Sequence, residues 1–177
     1  MQTEVVIAGS GGQGVLFGGM LLAQAAVEEG KETTWFPSYG AEMRGGTANS
    51  TVIISDKEIG SPVVLKPSAL IALNELSLNK FSVRLRRGGI LVINSSLATA
   101  APAIEGIVVV SIPATGIADK ELKDVRVANV VAIGAYLKKS GILSLASARK
   151  ACEKALCDKP KLIPLNQKAL ELGYNHQ

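Results

Sequence analysis

Four glycines fall within six positions near the amino terminus, Gly9-Ser10-Gly11-Gly12-Gln13-Gly14, between an apolar run and a long apolar-periodic segment. A glycine turn of this kind lets backbone N–H groups approach an anion at a helix N-terminus with no Cβ in the way. Gly9, Gly11 and Gly14 also fit the spacing of a dinucleotide-binding turn. That chemistry needs a partner, an acidic residue closing the second strand ~20 residues on, to hold the ribose hydroxyls. The second strand here closes on Trp35, Phe36 and Pro37, and its one carboxylate, Glu32, stands at its start. No arginine stands there for a 2′-phosphate. The dinucleotide reading therefore lacks its second half. Two readings remain for the turn: anion binding through N–H groups, or glycines that serve only close helix–strand packing.

A second stretch, FPSYGAEMRGGTANS over residues 36–50, sets Tyr39, Glu42 and Arg44 on a turn flanked by Gly40, Gly45 and Gly46. A guanidinium there suits a phosphate or carboxylate, in a fork that lysine cannot reproduce. The plainer reading is an exposed loop in which Glu42 pairs with Arg44, worth ~0–1 kcal/mol.

Other chemistry is thinly represented. Cys152 and Cys157 are five apart, which is not a cluster or redox spacing. The sole histidine, His176, is the penultimate residue. No metal site, Ser-His-Asp set or cysteine–histidine pair can be assembled, so the chain reads as a binding or accessory protein without catalytic residues of its own.

The elements that position the two glycine-rich stretches follow from periodicity. Apolar or β-branched runs predict strands at 4–8, 33–36, 47–55, 69–73, 89–93 and 107–112. A turn at Asp56-Lys57-Glu58 predicts a hairpin whose second strand covers 59–64. Helical patterning predicts helices at 14–29, 75–85, 114–122, 129–139, 143–156 and 164–172, with Gly30, Gly141 and Gly173 as C-terminal stops and Asn74 as an N-cap. Alternating strands and helices mean a three-layer, doubly wound α/β fold around a mostly parallel sheet with an antiparallel hairpin, one domain over 1–177. Both glycine-rich stretches follow strands, which predicts that they sit side by side on the carboxyl rim where such folds bind ligands.

Bulk properties agree with that class. Of 177 residues 47% are hydrophobic and only 4% aromatic, the net charge is +4 and the mean hydropathy is +0.28. With so few aromatic platforms the basic balance (pI about 9.1) does not point to nucleic acid. No apolar run reaches the ~20 residues of a membrane span, and no leader pattern is present, so a cytoplasmic location is expected.

The two stretches together carry a resemblance. GSGGQG followed by SYGAEMRGGTANSTVIISDKEIGSP resembles the γ subunit of 2-oxoacid:ferredoxin oxidoreductases, nearest to the 2-oxoglutarate and 2-oxoisovalerate types. It extends through VLKPSALIALNE, RRGGILVINSSL and NVVAIGAYLKKSG, over most of the chain. The small subunit of indolepyruvate:ferredoxin oxidoreductase and the γ chain of the pyruvate enzyme are similar too. The resemblance implies a complex with α, β and ferredoxin-like δ subunits, using thiamine diphosphate, Mg, iron–sulfur clusters and coenzyme A, with ferredoxin as electron acceptor. This chain has too few cysteines for a four-cysteine cluster and lacks the motif that holds the thiamine diphosphate metal, so none of these groups is expected on it alone. Placed on the resemblance, Gly9, Gly11, Gly12, Gln13 and Gly14 face the CoA phosphates, and Tyr39, Glu42, Arg44, Gly45 and Gly46 complete the approach.

Overall fold

The apolar run at 4–8 becomes the middle of a sheet because both of its faces are covered: β1 (Gln2–Gly9) is buried from Val5 onward. The computed structural model describes residues 1–38, 46–99 and 104–176. Along them follow α1 (Val15–Glu28), β2 (Glu32–Ser38), β3 (Ala48–Ser55), β4 (Ala69–Ala72), α2 (Glu75–Ser82), β5 (Ile90–Asn94), β6 (Val108–Ile112), α3 (Ala114–Leu122), α4 (Ala128–Ser140), α5 (Leu145–Ala155) and α6 (Ile163–Tyr174). The six strands form one sheet in the order β2-β3-β1-β4-β5-β6.

The sheet is parallel from β1 through β4 and β5 to β6. β3 runs antiparallel to both β1 and β2, so β2 points the same way as β1 from two places away. Insertion of β3 gives a second reason against a dinucleotide site, because the carboxyl end of β2 no longer neighbours the glycine turn. Gly9 pairs with Ala48 and Ser38 with Asn49. Ser38 and Ala48, which flank the second glycine-rich stretch, thus stand on the same rim as the glycine turn, with β2 two strand spacings (~10 Å) from β1; residues 39–45 lie outside the described residues.

The hairpin differs from expectation. Residues 57–66 form no strand, and the antiparallel partners of β3 are β2 and β1. Both edges of β3 are already paired, and Pro62 and Pro67 interrupt the segment that would have returned. Instead the segment crosses the sheet as a strap. The Arg84 guanidinium fastens it, donating to the carbonyls of Val64 (2.7 Å) and Leu65 (3.2 Å).

The two faces are unequally covered. One carries α1 and α4, with α3, α5 and α6 packed around them over Val5, Ile7, Val52, Ile54, Ile71 and Val92. Among the described residues the other carries α2 as its one helix, which seats Leu78 and Phe81 over Val6, Leu70, Leu91 and Ile93. Asn74 caps α2 as predicted, its Oδ1 accepting from the Ser77 N–H at 2.9 Å. Gly30 and Gly141 take the left-handed conformation that ends α1 and α4. Gly173 does not act as a stop. It is buried within α6, where its lack of a side chain lets the helix lie against α4.

Cys152 is fully buried on α5, and burial pushes its thiol up to about 12, whereas Cys157 is exposed. A thiol that does not ionise near neutrality is a poor nucleophile. Ellman's reagent is therefore expected to label Cys157 in the native chain and to reach Cys152 only in denaturant. Fast labelling of both would show α5 opening away from the core.

Candidate functional site at the strand-end rim

β1 delivers the chain to the rim and the turn at 10–14 reverses it into α1. Gln13 donates its backbone N–H to the Ser10 carbonyl at 3.2 Å. Its side chain folds back into the turn, where Oε1 accepts from the Ser10 N–H (2.7 Å) and from Asn74 Nδ2 (2.7 Å). Gln13 Nε2 reaches the Leu73 carbonyl at 3.4 Å, and Asn74 Nδ2 also donates to Ser10 Oγ at 2.8 Å. Gln13 therefore braces the turn against the ends of β4 and α2. A Cβ on Gly9 would stand 2.9 Å from Gln13 Oε1 and 3.2 Å from Leu73 Cβ, so the brace itself requires that glycine.

The far side of the turn belongs to Gly14 and Asn129. Gly14 caps α1 with φ 68°, a left-handed conformation that other residues adopt at a cost, and a Cβ there would lie 2.5 Å from Asn129 Nδ2. Asn129, in the first turn of α4, donates Nδ2 to the Gly14 carbonyl at 2.8 Å. Because that contact is to a carbonyl, the amide orientation is fixed and Oδ1 faces the other way. Asn129 is 2% exposed, and its Oδ1 has no hydrogen-bond partner among the described residues. A buried acceptor left unmet costs ~1–3 kcal/mol. The N–H groups of Val15, Leu16 and Phe17 begin α1 with no acceptor inside the helix, while the Gly18 N–H is taken by the Gly14 carbonyl at 2.9 Å.

Two adjoining cavities open here, of about 280 and 190 Å³, and both are lined by Gly12, Arg126 and Asn129. The larger runs under Phe17, Leu156, Leu162 and Leu165 toward Lys159. The smaller runs over Leu73, Asn94 and Thr115. Asn94 secures that wall, donating Nδ2 to the Leu73 carbonyl (3.1 Å) and Thr115 Oγ1 (2.8 Å) while Oδ1 accepts the Thr115 N–H (3.2 Å). Arg126 marks the boundary between the two cavities. Its guanidinium rests on Asp124 at 2.6 Å with the side chain 77% exposed. That hydrogen-bonded pairing holds the Asp124 carboxyl below its usual range and raises Arg126 further. Asp124 takes Nε and Nη2, and the largely exposed guanidinium also borders both cavities, where an anion can reach it. A larger depression of about 370 Å³ lies between α3 and α6, lined by Glu121, Glu171 and His176.

Of the residues singled out in the sequence, Gly9, Gly11, Gly12, Gln13 and Gly14 meet at this rim. Gly46 is half-buried just ahead of β3. Tyr39, Glu42, Arg44 and Gly45 lie outside the described residues. Sequence reasoning missed Asn129, Arg126, Asn74 as a brace, and Asn94. The one available signal was a lone amide opening the otherwise apolar run NVVAIGAYL. Among the described residues no group of three or more His, Cys, Asp or Glu is placed to hold a metal, and no helix is long and apolar enough to cross a membrane. Among the described residues the rim offers backbone N–H groups, one buried acceptor, a guanidinium and an apolar wall, which is binding chemistry.

Comparison with known proteins places this geometry. Residues 4–176 match the family model described as pyruvate ferredoxin/flavodoxin oxidoreductase. The chain is 41% identical over 174 residues to the ketoisovalerate oxidoreductase subunit VorA of Methanothermobacter marburgensis, covering 97% of this chain and 36% of that one. It thus spans about a third of that relative's length. It is 36% identical over 154 residues to the 2-oxoglutarate synthase subunit KorC of Methanocaldococcus jannaschii, covering 85% and 82% of the two chains. The solved γ subunit of keto/oxoacid ferredoxin oxidoreductase from Geobacter sulfurreducens superposes with a TM-score of 0.83 at 34% identity, over 97% of this chain and 96% of that one. By both sequence and fold, the chain belongs to the pyruvate ferredoxin/flavodoxin oxidoreductase family, among its γ-type members.

Proposed function

We propose that the chain is the γ subunit of a 2-oxoacid:ferredoxin oxidoreductase, which decarboxylates a 2-oxoacid oxidatively, releases an acyl-CoA and reduces ferredoxin. Its partners on this reading are α, β and ferredoxin-like δ subunits, and its location is cytoplasmic. Thiamine diphosphate with Mg supplies the decarboxylation chemistry and iron–sulfur clusters the electron path, all held by those partner chains. The relatives named for ketoisovalerate and 2-oxoglutarate favour this over the indolepyruvate alternative.

This chain's own contribution is to bind and orient coenzyme A. The observation that carries the reading is the unmet Asn129 Oδ1 at the start of α1, beside Arg126. The α1 N–H groups and the guanidinium suit the CoA phosphates, and Asn129 Oδ1 suits a hydroxyl or amide N–H of the same molecule. The apolar wall of Phe17, Leu156, Leu162 and Leu165 accepts its uncharged portion. Arg44, with Tyr39, Glu42, Gly45 and Gly46, is proposed to approach from the second glycine-rich stretch on the same rim.

The test is reconstitution. The chain coexpressed with its neighbouring thiamine- and cluster-binding subunits is expected to turn over a 2-oxoacid with CoA and ferredoxin, and the chain alone is expected to be inactive. Turnover by the chain alone would defeat the proposal. So would a complex lacking the chain that keeps the same kcat and the same KM for CoA.

A further inference from the structure

Of twelve large hydrophobic residues that are exposed among the described residues, five gather on the thinly covered α2 side: Phe36, Val63, Leu65, Leu76 and Val83, between 54% and 79% exposed. Isolated exposed apolar residues are ordinary, but a contiguous patch is not. These are contiguous. Leu76 and Val83 are seven apart and share the outer face of α2, one turn to either side of Lys80. Arg84, next to Val83, is tied to the carbonyls of Val64 and Leu65. Arg84 and Val63 then line a groove of about 250 Å³ with Phe36, Ser38 and Thr51. The patch therefore runs from the outer face of α2, across the strap, to the edge strand β2. It occupies the place where a doubly wound sheet carries further helices in its third layer.

The border is basic. Residues 57–90 contain six cationic side chains and two carboxylates, Glu58 and Glu75. Arg86 and Arg87 are answered by Glu4 (3.5 Å) and Glu105 (2.9 Å). Lys57, Lys66 and Arg84 still outnumber Glu58 and Glu75. Arg84 spends its donors on carbonyls, which leaves its charge uncancelled. Two copies of this chain joined through the patch would bring Lys66 and Arg84 of both together. A bilayer offers no projecting side chain for the groove beside Phe36.

We infer that the α2 face is the docking surface of a larger partner subunit, whose contact carries apolar side chains at its centre and carboxylates at its border. This rests on the subunit reading above and adds which face is used and what meets it. The experiment titrates the labelled chain into the purified partner subunits. Leu65→Ser combined with Val83→Ser is expected to weaken assembly about tenfold or more, with the melting temperature of the isolated chain unchanged because both side chains are exposed. Lys66→Glu is expected to weaken assembly and to reduce its sensitivity to salt. Val109→Ser, on the opposite edge strand β6, is expected to assemble as wild type does. Wild-type assembly by the double variant would overturn the inference. So would loss of self-association, or of binding to vesicles of equal parts phosphatidylcholine and phosphatidylglycerol, in a double variant that still assembles normally. A wild-type chain that assembles with no partner would overturn the subunit reading first and this inference with it.

Discussion

Gly173→Ala is expected to melt well below the wild-type protein. Gly173 faces α4 from within α6, and a Cβ there would overlap the Val131 carbonyl oxygen and lie 3.1 Å from the Ala135 nitrogen. Across the same crossing, a Cβ on Gly134 would overlap the Leu170 carbonyl oxygen. Side-chain overlaps can be relieved by a change of rotamer, but backbone overlaps cannot, so the two helices would have to separate. Helix propensity opposes this outcome, because alanine gains ~1 kcal/mol over glycine inside a helix. Overpacking of a close contact costs ~3 kcal/mol or more where nothing can yield. The overlap wins by ~2 kcal/mol or more, which lowers Tm by at least roughly 4–8 °C for a chain of this size. Gly60→Ala is the control, since a Cβ there meets nothing within 4 Å. A Gly173→Ala protein melting with wild type would mean that α4 and α6 pack more loosely than described. The effect also bears on the site, because α4 carries Asn129 in its first turn, and tilting α4 moves that amide off the Gly14 carbonyl.

Much of this arrangement is legible in the sequence, for identifiable reasons. β1, β4 and β5 are short apolar runs bounded by turn residues, and a fully buried parallel strand has no other way to be written; β6 is as apolar but forms an exposed edge. Asn74 reads as a cap because the capping bond spans only three residues. β3 was legible as extended chain but not its partner, since Ala48–Ser55 carries buried residues on both faces and would suit either neighbour. The polar turn at 56–58 then favoured the wrong hairpin. Gly173 was misread because Leu-Gly-Tyr-Asn near a helix end has the form of a stop signal. Only the crossing with α4, some 40 residues earlier in the chain, reveals that the glycine is there for contact. Asn129 was hidden more deeply, as the hydrogen bond that defines its role spans 115 residues. The glycine turn announced a helix start fit for an anion, whereas the group that shapes the crevice comes from the other end of the sheet.

Asn129→Leu is expected to separate function from stability. Leucine has nearly the shape of asparagine without its polar atoms. It removes the donor to the Gly14 carbonyl, but that carbonyl keeps the Gly18 N–H at 2.9 Å and is not orphaned. It also removes the unmet Oδ1 acceptor, whose burial costs ~1–3 kcal/mol. The lost hydrogen bond is worth ~1 kcal/mol, so the two effects nearly cancel and Tm should stay level or rise slightly. Function should move the other way. If the Asn129 oxygen receives a hydroxyl or N–H from CoA, its loss costs ~1–3 kcal/mol of binding, or about five- to 150-fold in KM for CoA in the assembled complex, with the 2-oxoacid KM unchanged. Asn129→Asp should be worse on both counts. It keeps the acceptor, loses the donor, and sets a carboxylate in a nearly inaccessible site beside ligand phosphates. Stability and kinetics measured on the same reconstituted variants decide the matter. A Leu variant that melts several degrees early with wild-type CoA kinetics would make Asn129 a strut between α1 and α4. A stable Leu variant with a raised KM for CoA would mean that the folded chain carries an unmet buried oxygen because its ligand supplies the missing proton donor.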